Sequence, residues 1–117
     1  TYSIAGNVAW DHIGWTEELA ELVRKAAAVC HGTLALRTKV SENTILKAAA
    51  LKSRRSKSPG LVVYDVNLRG GSRVHEYGVR NAHWVKVNEA EYRALDDLIE
   101  RMMDDDPWPG GRPGLFR

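Results

Sequence analysis

Four short runs in this chain alternate apolar and polar residues, which is the period of a β-strand, where successive side chains point to opposite faces. The runs cover residues 1–10, 33–40, 61–68 and 73–80. The last two flank residues 69–72 (RGGS), and a Gly-Gly pair between apolar runs is typical of a hairpin turn. The sequence therefore predicts strands in all four places, and a long hairpin with a basic tip over about 61–80.

Three other segments repeat apolar residues every three or four positions, the period of an amphipathic helix. Thr16, Ser41 and Asn88 precede these segments and are suitable N-cap residues, because their side-chain oxygens can accept a backbone N–H hydrogen bond. The predicted helices span Thr16 to Cys30, residues 42–55, and Asn88 to about residue 103. A further short strand is predicted over 83–87.

The predicted order is β-α-β-α-β-β-β-α, which indicates an α+β fold with a mixed β-sheet packed on helices. A chain of 117 residues has room for one core and is too short for two ordinary domains. We therefore predict one domain over 1–103. Residues 104–117 are rich in Pro and Gly and are predicted to form a flexible C-terminal tail.

Two known architectures fit these elements to different degrees. The order of the first six resembles that of the Alba-like chromatin proteins of archaea, which is an analogy of fold and implies no kinship. The alternative is a winged helix-turn-helix, in which 33–40 would be helical, 41–55 would be the recognition helix and the hairpin would be the wing. The alternation of Leu34, Leu36 and Val40 favours a strand at 33–40 and so favours the first arrangement.

The composition of the chain indicates the class of protein and the cellular compartment that we expect. Apolar residues make up 44% and charged residues 27%, as in folded soluble domains. The longest apolar runs are much shorter than a membrane span, and the first residues lack the pattern of a secretory signal. The single cysteine, Cys30, excludes an internal disulfide and favours a cytoplasmic location. We expect Cys30 to be a buried thiol, and not a metal ligand beside His31.

Charge is divided unevenly along the chain. Residues 37–80 contain ten Lys or Arg and three Asp or Glu, a net charge of +7, so the remainder carries −5 of the total of +2. Such polarisation favours binding to a polyanion. The leading hypothesis is a small non-catalytic protein that binds DNA or RNA. The candidate binding residues are Arg37, Lys39, Lys52, Arg54, Arg55, Lys57, Arg69, Arg73 and Tyr77. Four of them, Arg54, Arg55, Arg69 and Arg73, are predicted to meet on one surface.

Two other classes of function remain open at this point. Residues 88–106 have a net charge of −6, and Trp108, Leu115 and Phe116 lie in the tail, so region 88–117 could bind a protein partner or a second copy, as a regulator or inhibitor does. A metal-free ribonuclease would use groups such as His75 and His83 for proton transfer. No motif for a metal or cofactor occurs, so none is predicted, and no catalytic residue is assigned.

Overall fold

The computed structural model describes residues 5–53, 55–67, 72–105, 108 and 111–117, and for 72–75 it describes the backbone alone. Its helices are α1 (Glu17–Lys25), α2 (Lys39–Lys52), α3 (Ser72–Arg80) and α4 (Glu89–Asp105). Its strands are β1 (Ala28–Gly32), β2 (Leu61–Asp65), β3 (Trp84–Lys86) and β4 (Gly114–Phe116). Two 3-10 turns, Ala9–Asp11 and Thr33–Leu36, precede α1 and α2.

The four strands form one parallel sheet in the order β1-β2-β3-β4. Side chains of α2, α3 and α4 pack in one cluster with Tyr64 and Val85, so the three helices lie on the same face of the sheet, as right-handed crossovers between neighbouring parallel strands require. In the register, Cys30 lies beside Val63, which lies beside Trp84, and the next row joins His31, Tyr64 and Val85. The two rows point to opposite faces.

The core lies between the sheet and this helix layer. Tyr64 and Val85 are completely buried on the covered face. They pack with Val79 of α3 and with Leu95 and Ile99 of α4. Each of these helices therefore buries an apolar side against the same sheet face, which is the main stabilising contact of a two-layer α/β structure.

The prediction of a single domain that combines helices and strands is confirmed. The prediction of a mixed sheet is wrong, because all three strand pairs are parallel. The prediction of a hairpin over 61–80 is wrong, because Ser72–Arg80 is a helix. The reason lies in the strand direction: β2 and β3 are parallel, and a parallel pair needs a crossover, whereas a tight turn joins antiparallel strands. The predicted Alba-like order of elements is therefore wrong as well, because it included this hairpin. The winged helix-turn-helix also used the hairpin, as its wing, and Ser72–Arg80 is helical.

The predicted strand over 33–40 is also wrong. Residues Thr33–Leu36 form a 3-10 turn, and α2 begins at Lys39 with Thr38 as its N-cap. The strand of this region lies at Ala28–Gly32 and overlaps the end of the segment, Thr16 to Cys30, that the apolar spacing assigned to the first helix. A short run of small apolar residues does not distinguish a buried parallel strand from a helix end.

The two ends of the chain differ from their predictions as well. The described part of the predicted first strand, residues 5–10, contains no strand, and residues 1–4 lie outside the described residues. Gly114–Phe116 of the predicted tail pairs with β3 as the fourth strand. Among the described residues, no helix combines the length and the apolar character needed to cross a membrane.

Candidate nucleic-acid interface and the two faces of the sheet

Helix α2 has one buried side and one exposed side. Its buried residues are Ser41, Thr44, Ala48, Ala49 and Lys52, which lie along one side of the helix. The hydroxyls of Ser41 and Thr44 donate to the carbonyl oxygens of Trp10 and Ile13 at 2.7 and 2.6 Å. These bonds fasten the first turns of α2 to the N-terminal segment and fix which residues face outward.

The outward side of α2 and the loop that follows it carry a group of cations that we name the cationic stripe: Lys39, Lys47, Arg55 and Lys57. All four are exposed. Lys39 and Lys47 lie eight residues apart on the helix, a separation of about 12 Å along its axis. Between them Asn43 is exposed, and Ala50 follows, so small side chains separate the cations.

The cations of this stripe differ from most other exposed cations in having no carboxylate within ion-pair distance among the described residues. Arg24 and Lys25 pair with acids of α1, and Lys86 pairs with Asp65. The sequence explains the contrast, because Glu42 is the only acidic residue between positions 26 and 64, where seven cations occur. The positive potential of this surface is therefore not cancelled by neighbouring charges.

Two of the predicted binding residues are occupied by structural contacts. Arg37 forms a bidentate ion pair with Asp11, with nitrogen to oxygen distances of 2.5 and 2.6 Å. The Arg37 guanidinium also donates to the carbonyl oxygen of Ala5. This pairing lowers the pKa of Asp11 to about 2. Lys52 is 1% exposed, and its Nζ donates to the carbonyl oxygens of Arg24 and Ala26 at 2.9 and 2.8 Å. Lys52 thus satisfies carbonyls at the C-terminal end of α1.

The remaining predicted residues fall into three groups. Lys39, Arg55 and Lys57 are exposed and belong to the cationic stripe. Arg54, Arg69 and the side chain of Arg73 lie outside the described residues. Tyr77 is half-buried on α3, where its carbonyl oxygen accepts from the backbone of Asn81.

The predicted meeting of Arg54, Arg55, Arg69 and Arg73 on one surface stays a prediction, because Arg55 alone of the four has a described side chain.

The carboxyl ends of β1 and β2 hold a buried polar group that the sequence analysis did not identify. The hydroxyl of Thr33 lies 3.0 Å from that of Tyr64 and 3.0 Å from the carbonyl oxygen of Asn67. His31 stacks on the Tyr64 ring with centroids 5.0 Å apart, and neither of its ring nitrogens has a hydrogen-bond partner among the described residues. Burial lowers the pKa of His31 to about 4, so the ring is neutral at pH 7.

Of the two candidate catalytic histidines, one has a described side chain. Nδ1 of the His83 ring accepts a hydrogen bond from the backbone N–H of Val62 at 2.9 Å, and the backbone N–H of His83 donates to the carbonyl oxygen of Val62. His83 therefore holds the start of β3 against β2. The side chain of His75 lies outside the described residues.

The face of the sheet opposite the helices is apolar and open, and we call it the open face. It carries Ala28, Cys30, Leu61, Val63, Trp84, Gly114 and Phe116, with Asp65 and Lys86 at its carboxyl end. Leu61 and Trp84 are each 46% exposed and Phe116 is 38% exposed. Trp84 and Phe116 meet edge to face at 6.2 Å between ring centroids. Cys30 is exposed on this face, so the expectation of a buried thiol is wrong.

The acidic helix is partly neutralised by the chain's own C-terminal residues. Arg112 pairs with Asp96 and lies 3.7 Å from Glu100, and Arg117 pairs with Glu89. These contacts lie along α4 and hold the last strand near it. They reduce the negative charge that α4 would present to a basic partner.

The sequence matches no protein-family model and no curated protein.

Proposed function

We propose that this protein binds nucleic acid through the cationic stripe of α2 and the following loop, without catalysing a reaction on it. The observation that carries the proposal is that these exposed cations lack carboxylate partners among the described residues, whereas those of α1 and β3 have them. Free cations on a surface release counterions from phosphates when they bind, which is the main source of affinity for nucleic acids.

The shape of the stripe favours duplex DNA. An α-helix fits the major groove of B-form DNA, which is about 12 Å wide, whereas the major groove of A-form RNA is too deep and narrow for it. On α2 the cations are separated by Asn43 and Ala50, small residues that permit close approach. Lys39 and Lys47 would contact phosphates, and Asn43 is the side chain between them with the hydrogen-bonding groups to contact a base edge.

The test is a titration of labelled duplex DNA, single-stranded DNA and duplex RNA by fluorescence anisotropy at several salt concentrations. For duplex DNA, each of Lys39→Ala, Lys47→Ala, Arg55→Ala and Lys57→Ala should flatten the slope of log affinity against log salt by about 0.9. The matched control is Arg93→Ala, an exposed arginine on acidic α4 that loses the same charge as Arg55→Ala. It should leave the slope unchanged.

Three results would overturn the proposal. The first is the absence of binding to any of the three nucleic acids at low salt. The second is a variant with all four substitutions that binds duplex DNA as the unaltered chain does. The third is an equal loss in Arg55→Ala and Arg93→Ala, because it would show that net charge matters and the stripe does not.

A further inference from the structure

The open face breaks a general rule of parallel sheets. Such sheets occur almost always with both faces covered, because their strands are apolar on both sides. Here helices cover one face, and no described residue covers the other, where Leu61 and Trp84 remain nearly half exposed. Large apolar side chains that lie together on a surface typically mark an interaction site.

The charge of the open face limits what can cover it. Its two ionic side chains, Asp65 and Lys86, pair with each other at 3.1 Å, so the face has no net charge. A strongly basic or acidic partner would gain nothing there from electrostatics. A second copy of the chain, with a net charge of +2, meets no repulsion at this face, and its own open face is equally neutral and apolar.

The accessible surface area of the molecule also agrees with a second copy of the chain as the partner. Its accessible surface is 7413 Å², whereas a compact monomer of 13.1 kDa exposes about 6,400 Å². The excess is about 1,000 Å², and a standard interface buries about 800 Å² on each partner. The molecule is also a slab of 38 × 38 × 24 Å, whose short dimension fits one sheet and one layer of helices.

We infer that two copies of this chain associate by packing their open faces together, sheet on sheet, around Trp84, Leu61 and Val63. A two-fold axis in the interface would bring the same apolar residues of both copies together, as in an isologous dimer. Because α2 lies on the far side of each sheet, both cationic stripes point outward from the dimer. The association is thus independent of nucleic-acid binding, and either proposal can fail without the other.

The experiment combines mass measurement with the reactivity of the single cysteine. Sedimentation equilibrium of the full chain at micromolar concentrations should give twice the monomer mass of 13.1 kDa. Cys30 lies on the open face, so its rate of reaction with a maleimide should fall as protein concentration rises into the dimer range. Trp84→Lys and Leu61→Lys should each restore the monomer mass and the faster thiol reaction.

Matched controls come from exposed apolar residues elsewhere. Leu22 on α1 is 66% exposed and Val40 on α2 is 50% exposed, so Leu22→Lys and Val40→Lys add the same charge away from the open face and should remain dimeric. Circular dichroism checks that each variant is folded, and having two independent variants on the face protects the test if one fails to fold. A monomer at all concentrations would overturn the inference and leave the open face to a different partner. A dimer in which Cys30 reacts as fast as in the monomer would overturn it also, because association would then use another surface.

Discussion

Neighbouring residues on the same strands have opposite environments on the two faces of the sheet. On β1, Cys30 is exposed and His31 is buried, and on β3, Trp84 is 46% exposed beside Val85, which is fully buried. Both faces are apolar, yet the chain's own helices cover one of them. The difference shows that apolar character alone does not determine burial, and that a face without its own helices is available for an intermolecular contact.

The largest expected effect compares one aromatic residue from each face. Tyr64→Ala should lower the free energy of unfolding by about 3–5 kcal/mol, because it leaves a cavity in the core and removes the partner of Thr33. Trp84→Ala removes a larger side chain but should cost only about 1 kcal/mol in the monomer, since the ring is nearly half exposed. Urea denaturation at low protein concentration measures both. Equal losses would show that Trp84 is buried by the chain itself.

The covered face should also make stability depend on pH through His31. Its pKa is lowered by burial from 6.5 to about 4, so the unfolded chain takes up a proton below pH 6.5 while the folded chain stays neutral. Stability should therefore fall as the pH drops from 6.5 to 4, by about 3 kcal/mol in total.

The measurement is the difference in unfolding free energy between His31→Phe and the unaltered chain at several pH values. His31→Phe keeps a ring against Tyr64 and should gain in relative stability toward pH 4. Asp11 acts in a lower window, since its lowered pKa contributes stability above pH 3.8 that is lost as the pH falls toward 2. A constant difference between pH 7 and 4 would mean that the His31 ring is accessible to water.

The same contrast extends to α2, where two lysines face in opposite directions. Lys52→Met should cost about 1.5–3 kcal/mol, because it removes a charged donor from the carbonyl oxygens of Arg24 and Ala26. Lys47→Met should leave stability within about 0.5 kcal/mol, since Lys47 is exposed. Thermal unfolding followed by circular dichroism compares them. If the two variants unfold alike, Lys52 does not fasten α2 to α1.

The smallest effect compares two glycines that each approach an aromatic ring. A Cβ at Gly78 would overlap the Tyr64 ring, and one at Gly114 would overlap the Trp84 ring. Gly78→Val should cost about 1–3 kcal/mol, because Tyr64 is enclosed and cannot move. Gly114→Val should cost less than about 1 kcal/mol, because Trp84 can turn toward solvent. Chemical denaturation distinguishes the two, and a larger loss at Gly114 would contradict an open face.

Some local features were predictable because they depend on neighbouring residues in the chain. Thr16 caps α1 by accepting from the backbone of Leu19, and Asn88 and Glu91 exchange hydrogen bonds at the start of α4, as their spacing predicted. Such interactions span three or four residues, so local sequence contains them. Lys39, Arg55 and Lys57 are exposed, and their role in binding stays a prediction.

Other features could not be predicted because they depend on distant partners. Lys52 resembles a solvent-facing cation in the sequence, yet carbonyls 26 and 28 residues away hold it in the interior. Arg37 likewise pairs with Asp11, 26 residues away. The apolar residues of 61–80 suited a hairpin locally, and the parallel partner of β2 required a helix there instead.

The sequence by itself determined that the chain forms one domain, where helices α1 and α4 begin, and that its charge is divided, because composition, capping and spacing are local properties. The tertiary structure alone decided the direction of the strands, the burial of Lys52 and His31, and the exposure of Cys30 and Trp84. Those outcomes depend on which face of a strand meets a helix layer assembled from residues far apart in the chain, and a shift of one residue exchanges the two faces.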